Sequence, residues 1–137
     1  MRKAHEAKER RKPSLDVWGS GQPKREFLHV DDLADACLFL MRGYEGDEHV
    51  NVGVGQDLSI RELAELIREV VAPEVELVFD TTKPDGMPRK LLDVSRLTGL
   101  GWRPRIGLRE GIEGTYRWFL EHRETVRERR SDTPALV

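Results

Sequence analysis

The chain has almost no cysteine, no long apolar run and no clear excess of charge of either sign. Cys37 is the single cysteine among 137 residues, which excludes an intramolecular disulfide and favours a reducing, cytoplasmic location. No apolar run is long enough to cross a bilayer, and the first residues lack the apolar stretch of a signal peptide. The 23 Lys and Arg residues nearly balance the 25 Asp and Glu residues. We therefore expect one highly charged domain that binds neither nucleic acid nor membrane.

Short strands are predicted to alternate with helices. The strands are predicted at 15–18, 26–30, 50–53 and 75–79. This alternation is typical of an α/β fold. The strands are few and their connections are long, whereas a parallel sheet needs cover on both faces. We therefore expect this chain to hold part of a sheet whose other strands lie elsewhere.

Helices are predicted where apolar residues recur on one face. The first such face comprises Leu33, Ala36, Cys37, Leu40 and Met41. Asp31 or Asp32 is expected to cap this helix, because either carboxylate can accept free N–H groups at a helix start. Ser59 and Glu62 form a capping box that begins a second helix, which ends at Pro73. A short helix is predicted at 93–97 and a last one from Leu108.

The two ends of the chain are polar. Residues 1–12 are basic and suited to a helix but carry no convincing apolar stripe, so we expect a solvated helical lead-in there. Residues 123–137 are strongly charged and then contain Pro134, and we expect a disordered tail. The organised domain is thereby predicted to span residues 13–122.

Individual reactive residues give little sign of catalysis. The four histidines are scattered, none at metal-ligand spacing with another or with Cys37, so no metal site is expected. Cys37 is interpreted as a packing residue. His29, next to two carboxylates, is either a base or, as we favour, a residue that orders the corner before the helix. Gly53 and Gly55 lack the third glycine of a dinucleotide fingerprint and are interpreted as a turn.

Two segments have the composition of an anionic-ligand site. Trp18 and Arg25 flank a glycine turn, which suits stacking on a base and bidentate binding of a diphosphate. The loop of residues 83–90, KPDGMPRK, carries three cations around the carboxylate of Asp85. These groups can neutralise phosphate and accept a bond from a sugar hydroxyl. Either segment can also be an ordinary solvated loop.

Three stretches resemble GDP-L-fucose synthases, which are extended short-chain dehydrogenases/reductases in the NAD-dependent epimerase/dehydratase family. They are WGSGQPKREFLHVDD from Trp18, KPDGMPRKLLD from Lys83, and GWRPRIGLREGIEGTYRWFLEH, which ends at His122. The resemblance runs from about Lys3 to His122. Many nucleotide-sugar epimerases and dehydratases share the RxFxHVDD part, whereas the KPDGxPRKLLD loop narrows the resemblance to the GDP-L-fucose synthases.

The resemblance implies an NADPH-dependent enzyme that epimerises GDP-4-keto-6-deoxymannose and then reduces its ketone, so it combines isomerase and oxidoreductase steps. By match to the family's motifs, Trp18, Arg25 and Asp85 contact the GDP-sugar and Lys90 lies near it. Lys3 takes the place of a basic residue that is usually Arg. A lysine cannot make the bidentate contact of an arginine, and Ala4 replaces the family's phenylalanine.

The resemblance also implies that much of the parent enzyme is missing. The family's glycine-rich cofactor loop, its Ser and Tyr-x-x-x-Lys group, and its epimerisation Cys and His all precede the matching segment. We therefore expect the C-terminal, substrate-binding portion of a Rossmann-type enzyme, without the dinucleotide-binding half. Such a chain binds GDP-sugar, holds no catalytic residue and binds no NADP(H) alone. Its partner is a separate Rossmann half or a second copy.

Two alternatives stay open at this point. The chain is either a portion of another nucleotide-sugar epimerase or dehydratase, or a non-catalytic binding module.

Overall fold

The computed structural model describes residues 1–131, with side-chain surroundings through residue 123. Its elements, in chain order, are α1 Arg2–Glu9, β1 Ser14–Trp18, β2 Lys24–Arg25, α2 Val30–Gly43, β3 Leu58–Ser59, α3 Ile60–Val71, β4 Glu76–Asp80, β5 Arg89–Lys90, α4 Ser95–Gly99 and α5 Leu108–Ser131. Helices and strands alternate through most of the chain, so the predicted α/β class is confirmed. No helix among the described residues is both long enough and apolar enough to cross a membrane.

The strands form two small sheets. β1 pairs in parallel with β4, from Ser14 opposite Glu76 to Trp18 opposite Asp80. β2 lies between β3, which is antiparallel to it, and β5, which is parallel. The strands predicted at 15–18 and 75–79 are thus confirmed within one residue. The strands predicted at 26–30 and 50–53 do not form, because α2 already begins at Val30 and no described segment pairs with 50–53.

One hydrophobic core joins α1 to α3. Its buried residues are Ala4, Ala7, Val71, Ala72 and Val75, with Leu15, Ile67 and Tyr116 packed around them. The expected solvated lead-in was therefore wrong for one face of α1. Alanine side chains give only a faint apolar stripe in the sequence, yet their small size lets two helices approach closely.

A second core lies under α2. It contains Ala36, Leu97 and Trp102, with Leu28, Leu40, Val50 and Val52 packed against it. The Trp102 Nε1–H donates to Asp35 over 2.8 Å. Segment 50–53 thus packs by its valines although it joins no sheet.

The start of α2 differs from the prediction. His29, and neither aspartate, is the N-cap, and its Nδ1 accepts from the Asp31 N–H at 3.2 Å. Asp32 is only 4% exposed. Its carboxylate accepts the backbone N–H groups of Arg105, at 3.1 Å, and Ile106, at 2.9 Å. Asp32 therefore fastens the segment before α5 to α2.

The apolar face of α2 is mostly exposed. Ala36 and Leu40 are covered as predicted, but Leu33, Cys37 and Met41 are not. Met41 is 82% exposed. The interpretation of Cys37 as a packing residue was therefore wrong within the described chain. The side of α2 that covers the core is therefore the one that carries Asp32, Ala36 and Leu40.

The other helix ends follow local sequence signals. The Ser59–Glu62 capping box is present at the start of α3, and the helix ends at Val71, before Pro73. Asp93 accepts the Ser95 N–H at the start of α4. α5 continues to Ser131, so the structure differs from the expected disorder at 123–131. Residues 132–137, the rest of the predicted tail, lie outside the described residues.

Candidate functional site

The parallel pairing of β1 and β4 brings two loops to one sheet edge. The turn at 19–23 follows β1, and the loop of residues 81–88 follows β4. Both therefore leave the carboxyl ends of their strands, which is where ligands bind in open α/β sheets. The Gly19 N–H donates to the Asp80 carbonyl over 2.9 Å and joins the two exits.

Trp18 is an exposed aromatic residue beside two ammonium groups. The side chain is 67% exposed. The Nζ of Lys3 lies 5.3 Å from the centre of its ring, and the Nζ of Lys83 lies 5.8 Å away. These distances allow cation–π attraction. The structure thus brings together two of the residues predicted from the family's motifs, Lys3 and Trp18, and adds Lys83 to them.

A cavity of about 270 Å³ adjoins this group. It is lined by Lys3, Glu6, Ala7, Lys12, Ser14, Leu15, Asp16 and Trp18. Its lining combines cationic and anionic side chains with the tryptophan. The position of α1, set by Ala4 and Ala7, therefore determines how Lys3 approaches Trp18.

Asp85 reaches back across the sheet edge to the first turn. Its carboxylate accepts the Ser20 N–H at 2.8 Å and the Ser20 hydroxyl at 2.6 Å. These hydrogen bonds hold the pKa of Asp85 below its ordinary value. Gly19 has a φ of +84°, and a Cβ there would collide with the Asp85 carboxylate. The glycine turn is thus shaped to receive this side chain.

Arg25 and Lys90 lie side by side on adjacent strands. They are paired in the parallel register of β2 and β5, so their side chains project from the same face. The Arg25 guanidinium also packs over Gly86, where a Cβ would lie 3.2 Å from Nη2. Arg25, Asp85 and Lys90 are therefore gathered around one loop.

Arg89 has a structural partner. It forms a charged hydrogen bond with Asp57, whose side chain is only 7% exposed. The pair holds the pKa of Asp57 below its ordinary value and raises that of Arg89. Arg89 therefore anchors the loop to the residue before β3, which leaves Lys83 and Lys90 as its cations nearest to the predicted site. No sequence pattern points to Asp57, because the two residues are 32 positions apart in the chain.

Arg61 is a second residue that the sequence analysis missed. Its guanidinium lies 3.7 Å from the centre of the Phe79 ring, and Nη2 donates to the Ser20 carbonyl over 3.1 Å. It therefore supports the turn that holds Asp85. No pattern in the sequence singles it out from other arginines on helix surfaces.

The Gly53–Gly55 turn binds a carboxylate of the chain itself. Glu26 Oε1 accepts the N–H groups of Val54, at 2.5 Å, and Gly55, at 2.6 Å. Successive amides of this kind also bind phosphates. Here the position is filled by Glu26, so these residues do not fit a dinucleotide phosphate.

His29 has the ordering role that we favoured. It caps α2, and Gly111 on α5 comes so close that a Cβ there would lie 3.0 Å from the ring. Among the described residues, no group of three or more His, Cys, Asp or Glu side chains could hold a metal ion.

Comparisons with known proteins show which proteins this chain is similar to. The profile of the NAD-dependent epimerase/dehydratase family matches residues 1–53. A putative GDP-L-fucose synthase 2 of Arabidopsis thaliana is 61% identical over 122 residues, which are 89% of this chain and 37% of that protein. The GDP-L-fucose synthase of Escherichia coli K12 is 48% identical over 93% of this chain and 42% of its own length.

The solved structures also include a GDP-L-fucose synthetase with a similar fold. A GDP-L-fucose synthetase from Naegleria fowleri bound to NADP superimposes with a TM-score of 0.85 at 30% identity, over 90% of this chain and 39% of that one. The chain thus spans about two-fifths of the length of these relatives, and the predicted resemblance to GDP-L-fucose synthases is confirmed. The chain is therefore homologous to part of the GDP-L-fucose synthases, and its residues 1–53 match the profile of the NAD-dependent epimerase/dehydratase family.

Proposed function

We propose that this chain forms the GDP-sugar half-site of a GDP-L-fucose synthase. The observation that carries the proposal is the sheet edge where the ammonium groups of Lys3 and Lys83 lie 5.3 Å and 5.8 Å from the Trp18 ring centre. Arg25 on β2 and Lys90 on β5 are register partners in the neighbouring sheet. An exposed aromatic ring beside several cations is chemically suited to a nucleotide base attached to an anionic diphosphate.

Each proposed contact has a distinct role. Trp18 stacks on the base, and Lys3 adds positive charge beside the Trp18 ring. Arg25 donates two parallel hydrogen bonds to the diphosphate, and Lys90 supplies a second, less directional charge. Asp85 accepts from a sugar hydroxyl with lone pairs that Ser20 leaves free, since an ionised carboxylate has about four acceptor sites.

The reduction and epimerisation steps are proposed to need residues from outside this chain. The chain has two tyrosines, Tyr44 and Tyr116, and neither is followed by lysine four positions later. The glycine turn at 53–55 is filled by Glu26. We therefore propose that the chain is inactive alone and that any NADP(H) is held by a dinucleotide-binding partner, which supplies the hydride.

The exposed stripe of α2 is the proposed contact for that partner. It contains large apolar side chains at helical spacing, namely Val30, Leu33, Leu38 and Met41. Contiguous exposed apolar surface of this kind marks interaction sites. A dinucleotide-binding Rossmann half would cover it.

A ligand screen by thermal unfolding tests the proposal. GDP-mannose should raise the melting temperature of the purified chain, while UDP-glucose and dTDP-glucose at equal concentration should not. Stabilisation by UDP- or dTDP-sugars would instead point to another nucleotide-sugar epimerase or dehydratase. No stabilisation by any nucleotide would favour a non-catalytic interaction module.

A further inference from the structure

We propose that Glu26 is a positioning residue that sets the spacing between the Arg25 and Lys90 side chains. This inference rests on the proposed binding of a nucleotide diphosphate by those two cations. Glu26 makes no contribution to the ligand itself, because its carboxylate is directed to backbone amides of its own chain.

The carboxylate ties three separate segments together. Oε1 accepts the N–H groups of Val54 and Gly55, and Oε2 accepts the Leu92 N–H at 3.1 Å. Glu26 directly follows Arg25, and Leu92 lies two residues after Lys90. One side chain therefore links the strand of the first cation to the strand of the second.

Backbone hydrogen bonds alone hold β2 and β5 together only weakly. β2 and β5 contain two residues each, and the Lys24 N–H extends the contact to the Pro88 carbonyl over 2.8 Å. A ladder this short is marginal without further contacts. The Glu26 carboxylate supplies one of them at the end of the ladder.

The glycine turn is built around this carboxylate. A Cβ at Gly53 would collide with Glu26, and Gly55 has a φ of +74°, which a residue with a side chain rarely adopts. The turn therefore receives Oε1 while Oε2 stays free for the Leu92 amide.

Positioning and simple electrostatics predict opposite results for Glu26→Gln. This change removes a negative charge from the residue that follows Arg25, and by Coulomb's law alone the loss of that charge would tighten the binding of an anion. A glutamine, however, presents an NH₂ group to at least one of the amides and cannot accept its hydrogen bond. Positioning therefore predicts weaker binding.

The test is a double-mutant cycle on GDP affinity, measured by titration calorimetry. We expect Glu26→Gln to raise the Kd for GDP by about tenfold, the scale of one lost charged hydrogen bond. Guanosine, which has no phosphates, should bind as before. In a Lys90→Ala background the effect of Glu26→Gln should be clearly smaller, because one of the cations it positions is gone. Glu45→Gln, an exposed change of the same charge, should have no effect.

Several results would overturn the inference. They are unchanged or tighter GDP binding by Glu26→Gln, equal weakening for guanosine, and full additivity with Lys90→Ala. If the unmodified chain binds no GDP, the proposed function fails, and amide hydrogen exchange then decides the role of Glu26. Faster exchange at residues 88–92 in Glu26→Gln supports positioning, and unchanged exchange there rejects it.

Discussion

Replacing Asp32 by alanine should destabilise the chain far more than the same change at its neighbour Asp31. The Asp32 carboxylate is almost fully buried and accepts the N–H groups of Arg105 and Ile106. Alanine would leave both amides without their acceptor. Hydrogen bonds to a charged group contribute about 1.5–3 kcal/mol each, and the amides can regain some bonding to water. We therefore expect a loss of about 2–5 kcal/mol in the free energy of unfolding.

Two further variants, Asp31→Ala and Asp32→Asn, serve as controls for Asp32→Ala. Asp31 has a side chain that is 79% exposed, so Asp31→Ala should cost about 0.5 kcal/mol or less. Asp32→Asn keeps one acceptor oxygen and should fall between the two. The assay is urea unfolding, followed by tryptophan emission and far-ultraviolet circular dichroism. Equal losses for Asp31→Ala and Asp32→Ala would show that the Asp32 contacts do not hold the segment before α5.

Three further predictions concern the site. Arg25→Ala should weaken GDP binding by about 1.5–3 kcal/mol in titration calorimetry, and an unchanged affinity would remove Arg25 from the site. The purified chain should not oxidise NADPH in the presence of the keto-sugar, and substrate-dependent loss of NADPH absorbance above a no-protein control would contradict this. Ser20 lowers the pKa of Asp85, so their contact should persist at neutral pH and be lost as the pH falls through that depressed pKa. Ser20→Ala should therefore raise the titration midpoint of the Asp85 carboxyl resonance. An unchanged midpoint would show that Ser20 is not the cause of the lowered pKa.

Local signals in the sequence predicted the helices better than the strands. The capping box at Ser59 and the stop at Pro73 depend on residues within one helical turn, so they can be found without knowledge of the fold. Segment 50–53 has the apolar alternation of a strand but pairs with no described segment. A strand is defined by its partner, and the sequence of this segment carries no information about that partner.

Long-range pairs account for most of what the sequence analysis missed. The Asp57–Arg89 pair joins residues 32 positions apart, and the Glu26–Leu92 bond spans 66. Asp32 looked like a helix cap because it stands at a helix start, while its actual acceptor role depends on a segment far along the chain. The site residues themselves were predicted from the family's motifs, and their binding role stays a prediction.

The position of Trp18 gives the proposed site its own optical probe. The chain has three tryptophans, of which Trp102 is buried and Trp18 is the most exposed. Two ammonium groups beside the Trp18 ring attract anions and repel cations, so iodide should quench its emission more strongly than caesium does. A nucleotide that covers the ring would remove this asymmetry, which makes binding visible in the unlabelled chain.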